Sequence, residues 1–174
     1  MEQLRYPIGR YQFEGMNNAQ RDKWIAEVEA LPGQLRAALD GLDDGQLDTP
    51  YRTGGWTVRQ VTHHLADAGM NCFTRFKLAL TENNPTIKPF EEAPWSQLPD
   101  VLKAPPEVSL TIIDGLYARW SLLLRSMERE HFEKEFYHPE RGMQMKLSYF
   151  LGFVAWHGRH HLAHITNLRE RLEW

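Results

Sequence analysis

The chain has 174 residues, 42% hydrophobic and 25% charged, with 20 basic against 23 acidic side chains and a formal net charge of −3. That is enough sequence for one domain with a proper core and short for two, so residues 1–174 read as a single domain. No basic surplus marks a nucleic-acid footprint, and the longest apolar run, Tyr149 to Trp156, is far too short to span a bilayer.

The first residues, MEQLRYPIGRYQFEGMN, lack the apolar stretch of a signal peptide. Cys72 is the only cysteine, which leaves no internal disulfide. A cytoplasmic protein is expected, with neither a membrane nor a nucleic acid as partner.

Residues 1–16 carry aromatic and Gly/Pro punctuation without a helical period and read as an extended lead-in. From about Asn17 to Leu42 the pattern turns helical, with Trp24, Ile25, Val28, Leu31, Leu35, Ala38 and Leu39 at three- and four-residue steps. Pro32-Gly33 falls inside it and predicts a kink or break. Residues 43–55 are a loop by composition.

Thr57 and Gln60 then have the spacing of a capping box, which opens a helix over about 57–82. This helix buries Val58, Val61, Leu65, Cys72, Phe76 and Leu80, with Cys72 as a small core residue. It also carries His63, His64 and, one turn on, Asp67.

Residues 83–106 hold six prolines and no sustained period, the mark of a long crossover. A third helix follows over about 108–130, and residues 133–147 read as a turn between two short extended pieces. The fourth helix fills about 147–172. The expected fold is all-α: a four-helix bundle with a long Pro-rich crossover and a short hairpin-like segment before the last helix.

That last helix is the informative one. Four of the chain's eight histidines, His157, His160, His161 and His164, fall there at offsets 0, +3, +4 and +7, which share a helix face. Leu147, Leu151, Val154, Ile165 and Leu168 mark its buried stripe, and His157 and His161 stand where a bundle would place Leu. A lone histidine on an apolar face reads as a satisfied core residue. Two interlocked pairs at that spacing fit a metal better, since His-x3-His aims two imidazoles at one ion.

Bundle metal sites draw ligands from facing helices. His64, beside Leu65 at the edge of its stripe, is the candidate third ligand, while His63 points about a third of a turn away. Three protein ligands leave a coordination position open, as in catalytic zinc sites. Ligating histidines hand their other N–H to a carboxylate or carbonyl. Asp67 can reach the same face as His64 and is the expected supporting group, and His160 borders the pocket. Pocket walls are expected from the Pro-rich crossover and from aromatics such as Trp120 and Trp156.

The segments Trp56-Thr57-Val58-Arg59-Gln60-Val61-Thr62-His63-His64-Leu65-Ala66-Asp67 and Trp156-His157-Gly158-Arg159-His160-His161-Leu162-Ala163-His164-Ile165 resemble the two signature segments of the DinB-like superfamily, closest to its YfiT-like branch. Tyr6-Pro7-Ile8-Gly9, Pro85-Thr86-Ile87-Lys88-Pro89 and His138-Pro139-Glu140 also look like that branch. The resemblance implies a four-helix bundle holding one divalent metal, zinc or nickel, through three histidines, at His64, His157 and His161 here. His164 stands where the superfamily often has Gln, which leaves a His160–His164 pairing as a lesser alternative. The resemblance also implies a metal-dependent hydrolase, a common homodimer, and relatives that transfer low-molecular-weight thiols such as bacillithiol.

A metal with an open position can activate water for hydrolysis or bind a thiol and make it a nucleophile. Three functions are therefore weighed: a metal-dependent hydrolase, a thiol S-transferase, and a non-catalytic metal-binding or stress-response protein whose ion only staples the bundle. Apart from Asp67, no carboxylate occupies an obvious position within the two motifs. Residues 83–106 or 131–146 could deliver one. The substrate is expected to be a small molecule.

Overall fold

The computed structural model describes residues 2–174. Its elements, in chain order, are α1 (Glu2–Arg5), α2 (Asn18–Leu39), α3 (Asp44–Leu47), α4 (Val58–Thr81), α5 (Glu92–Trp95), α6 (Pro99–Lys103), α7 (Pro106–Ser126), β1 (Glu135–His138), β2 (Met143–Lys146) and α8 (Leu147–Leu172). A 3-10 turn over Arg129–Glu133 links α7 to the hairpin. The four long helices α2, α4, α7 and α8 form the expected bundle. Among the described residues no helix is long and apolar enough to cross a membrane.

The order of packing is not the order of the chain. Helix α2 packs on α7 and α8, and α4 packs on the same two. Consecutive helices α2 and α4 therefore lie across a diagonal, as do α7 and α8. Each diagonal step is made by one of the connections between long helices, 40–57 and 127–146.

Helix α8 keeps the boundaries its periodicity predicts, and α4 begins one residue inside the predicted range. The Thr57 hydroxyl accepts from the Gln60 backbone, and Gln60 Oε1 accepts from the Thr57 backbone. Such a cap contributes about 1 kcal/mol. Gln60 also donates through Nε2 to the Ser96 carbonyl at 2.9 Å, tying the crossover to the start of α4. Arg59 does the same for the preceding loop. Its Nε donates to Asp48 at 2.7 Å and its Nη2 to Asp44 at 2.9 Å, from a largely buried position.

Pro32 does not break α2, which runs unbroken from Asn18 to Leu39. The ring removes one backbone bond, a cost of about 3 kcal/mol, and burial of Val28, Leu31 and Leu35 on the bundle side offsets it. The hairpin-like segment is a true β-hairpin with Phe136 opposite Met145, both buried. Gly142 makes its turn in the left-handed region at φ 60°. The crossover docks on the hairpin as well, through Tyr137 N–H to Pro85 at 2.9 Å and Ile87 N–H to Tyr137 at 3.1 Å.

Two glycines let α8 lie close to its neighbours. A Cβ on Gly158 would stand 2.8 Å from Leu31 of α2, and one on Gly152 would stand 3.0 Å from the Trp24 ring. The lead-in contains the single turn α1 and is otherwise extended. It runs along α8 as a strap: Tyr11 donates to the Tyr149 carbonyl at 2.8 Å, and Trp156 Nε1 donates to the Gly9 carbonyl at 3.2 Å.

Candidate metal centre

The cap that starts α4 and the glycine-mediated seating of α8 bring His64 against His157 and His161. His64 Nε2 lies 3.2 Å from His157 Nε2. The His64 ring stands 4.7 Å from that of His161, centroid to centroid, and the His157 and His161 rings are 4.5 Å apart. One nitrogen from each of the three falls within 4.8 Å of the others. Two imidazole nitrogens each 2.0–2.1 Å from one tetrahedral zinc lie about 3.3 Å apart, so the His64–His157 separation fits two ligands of one ion as well as it fits a hydrogen bond. His160, His161 and His164 also have ring nitrogens within 4.8 Å of one another.

The charged imidazolium form is disfavoured throughout the cluster. Burial pushes His64 down to about 4, with the His160 charge adding to it. Burial likewise drives His157 and His161 well below the ordinary histidine value, and the neighbouring histidines push further in the same direction. His160 falls to about 3 and His164 to about 4, again chiefly through burial. The rings therefore stand neutral with lone pairs available, the form in which histidine ligates a metal.

Hydrogen bonds assign the tautomers. His164 Nε2 lies 3.2 Å from the Arg5 carbonyl and must donate to it. Its Nδ1 is then an acceptor, and it faces His161 Nδ1 at 3.4 Å. His161 consequently carries its proton on Nδ1 and keeps a lone pair on Nε2. The carbonyl of the strap, through His164, thus fixes the orientation of His161.

Asp67, expected to support His64, makes no side-chain hydrogen bond to a histidine among the described residues. Its pKa is raised to about 6 by burial and by the charge of Asp100. The structure therefore brings together His64, His157 and His161, keeps His160 at the cavity, and turns Asp67 toward α6.

His63 has a separate fate. Its Nδ1 accepts from the Ser109 hydroxyl at 2.7 Å and its Nε2 donates to the Ala104 carbonyl at 3.1 Å. It is a satisfied core histidine that locks α4 to the start of α7.

His157, His160, His161 and His164 line a cavity of about 640 Å³, whereas His64, covered by Trp56, does not reach its wall. Trp156 lines it, as expected, with His160 stacked on it at 4.6 Å. Trp120 does not: it is fully buried against Phe76, Phe73 and Tyr117, deep in the bundle. Three other aromatics do the expected work. Trp56 covers His64 at 4.6 Å, Tyr51 stacks on His164 at 3.9 Å, and Tyr6 lies 5.8 Å from His160.

Trp56 precedes the helix cap, a position where an apolar side chain packs back on the first turn, so its proximity to α4 was readable. Its contact with His64 was not. The crossover delivers Glu92 to the cavity wall, the one carboxylate there among the described residues. A smaller chamber of about 80 Å³ shares Glu92, Arg141, Phe153 and His157 with this cavity and is also bordered by Glu140. Glu92 has its pKa raised by the atoms crowded around its carboxyl, against the opposing pull of Arg141 and Arg75.

Comparison with known proteins places these features in a lineage. Residues 27–165 match the model of the DinB superfamily. A Bacillus mycoides protein named "Putative metal-dependent hydrolase" is 56% identical over the full length of both chains. A Bacillus cereus protein of the same description is 55% identical, again over all of both. Among solved structures, YfiT from Bacillus subtilis, described as "a probable metal-dependent hydrolase with an unusual four-helix bundle topology", superposes with a TM-score of 0.96 at 48% identity, covering 99% of each chain. The diagonal helix order seen here is in keeping with that description, and the chain belongs to the DinB superfamily.

Proposed function

We propose that this chain is a metal-dependent hydrolase of small molecules, with one divalent ion held by His64, His157 and His161. The observation that carries the reading is the convergence of three neutral imidazoles within ligand reach of one another, two of which, His157 and His161, line an open cavity. A stapling ion would be enclosed by a fourth ligand. Here His157 and His161 face a cavity of about 640 Å³. The descriptions of the relatives in two Bacillus species and of YfiT point the same way.

Zinc suits this donor set, and nickel is also compatible with imidazole. When bound, the ion supplies Lewis acidity, which polarises a carbonyl and makes water a better nucleophile at neutral pH. The chain's own groups do the rest. His164 holds the proton of His161 on Nδ1 so that Nε2 stays free to ligate. Glu92, the carboxylate in the wall, is the group that would take up a proton there. Trp56 and Phe90 flank His64 and keep bulk water from that side.

The test is elemental analysis beside ester and amide hydrolysis, on wild type, His64→Ala, His161→Ala and Glu92→Gln. The reading expects about one ion per wild-type chain and little in either histidine variant. Glu92→Gln should keep its ion and lose about a hundredfold in kcat. A wild type that neither retains nor takes up zinc or nickel would sink it.

A further inference from the structure

The wall of the cavity has a charge opposite to that of the chain. Acidic residues outnumber basic ones over the whole sequence, 23 to 20. Yet the wall contains Arg5, Arg10, Arg52 and Arg141 against the single carboxylate of Glu92. Arg10 is already engaged: its Nη2 pairs with Glu2 at 2.8 Å and its guanidinium lies over the Tyr6 ring at 4.1 Å.

Two others are not. Arg141 makes no side-chain hydrogen bond or ion pair among the described residues. It lies 5.4 Å over Phe153, whose ring is 5.8 Å from His157. Arg52 spends one N–H on the Thr53 carbonyl at 2.9 Å, while its Nε is buried with no partner among the described residues. It lies 5.4 Å from the Tyr51 ring, which stacks on His164. The two guanidiniums therefore flank the histidine row at opposite ends. Consistently, His157 feels the charge of Arg141, and His164 that of Arg52.

A buried N–H without an acceptor is costly, and native structures rarely leave one. A guanidinium backed by an aromatic ring is held flat, with its fork of donors free for a planar anion. Resting on the hydrolase reading of the same cavity, we infer that its substrates are small carboxylates. Arg52 and Arg141, one at each end of the row, each offer a carboxylate a seat, and either one then holds the reacting group beside His157 and His161. Selection is electrostatic: an uncharged analogue of the same shape leaves the guanidiniums unpaired and binds more weakly.

The test is isothermal titration of the zinc-loaded full chain with glutarate and with glutaramide, which match in shape and differ in charge. Glutarate should bind at least about tenfold more tightly than the diamide. A variant carrying Arg52→Gln and Arg141→Gln should lose that preference while keeping the zinc content and helical spectrum of the wild type. Equal affinity of diacid and diamide for the wild type would overturn the inference. So would a preference that survives in the double variant, because the anion would then be held by the ion alone. A chain that takes up no zinc would defeat the hydrolase reading, but the same pair of titrations on that sample still reads the arginine wall. Preference for glutarate there supports the anion site, and its absence overturns it.

Discussion

Helices α4 and α8 meet at two levels, and the two are built from opposite materials. At one, Phe76 of α4 faces Phe150 of α8 with ring centroids 5.6 Å apart, and both are almost wholly buried with Trp120 and Phe136 packed against them. Twelve residues back along α4, about 18 Å of helix, His64 faces His161 at 4.7 Å. The same pair of helices at a similar ring separation thus makes a dry aromatic core at one level and a cluster of uncharged imidazoles at the other. The aromatic level stabilises the fold by removing apolar surface from water. The histidine level costs desolvation and gives little back until something binds its lone pairs. Two regions with the same helical scaffold can therefore have separate physical purposes.

The sharpest way to break this division is Phe76→Ala. Truncating a fully buried ring should cost about 3–5 kcal/mol in denaturant unfolding, while the protein that remains folded keeps its metal stoichiometry. Loss of metal in step with stability would show that the two levels are not independent.

A smaller effect separates the histidines from one another. Ser109→Ala leaves the Nδ1 of His63 without a donor and should cost about 1–2 kcal/mol, with metal content unchanged. A matching loss of metal would bring His63 into the centre.

The smallest effect is pH-dependent. Burial, with Asp100 adding, raises the Asp67 pKa from the ordinary 3.8 to about 6, so the native state holds this proton more tightly than the unfolded chain. Its stabilising contribution is complete below about pH 4 and fades as pH rises through 6. Asp67→Asn keeps the neutral form at all pH values. The variant should therefore match wild type near pH 4 and exceed it by about 1 kcal/mol or less at pH 7.5, the gain being limited by solvent screening. Destabilisation by this change at pH 7.5 would restore Asp67 as a partner of the histidines.

How far the sequence could be read follows from where each signal is stored. Local periodicity and capping chemistry gave the span of α8, the start of α4 at Thr57, and the face shared by His157 and His161, because all of these are set within a few residues. The diagonal arrangement of helices was not legible, since periodicity tells that a face is buried and not what covers it. Trp120 shows the cost of that gap: an aromatic on a buried stripe was assigned to the pocket and belongs to the core. Tyr51, Arg52, Glu92 and Arg141 reach the cavity from segments without a period. They are placed by long-range ties such as Arg59 to Asp48 and Gln60 to Ser96.

The strap has a consequence for how specificity can change. The part of the chain that matches the superfamily begins at residue 27. Arg5, Tyr6, Arg10 and Tyr11, which line one side of the cavity, all lie before it. The imidazoles and this side of the wall are thus encoded in separate stretches, joined through a main-chain carbonyl that any residue at position 5 supplies. Exchanging the first sixteen residues between relatives would recut that side and leave the imidazoles as they were, a modular route by which one metal scaffold can acquire new clients.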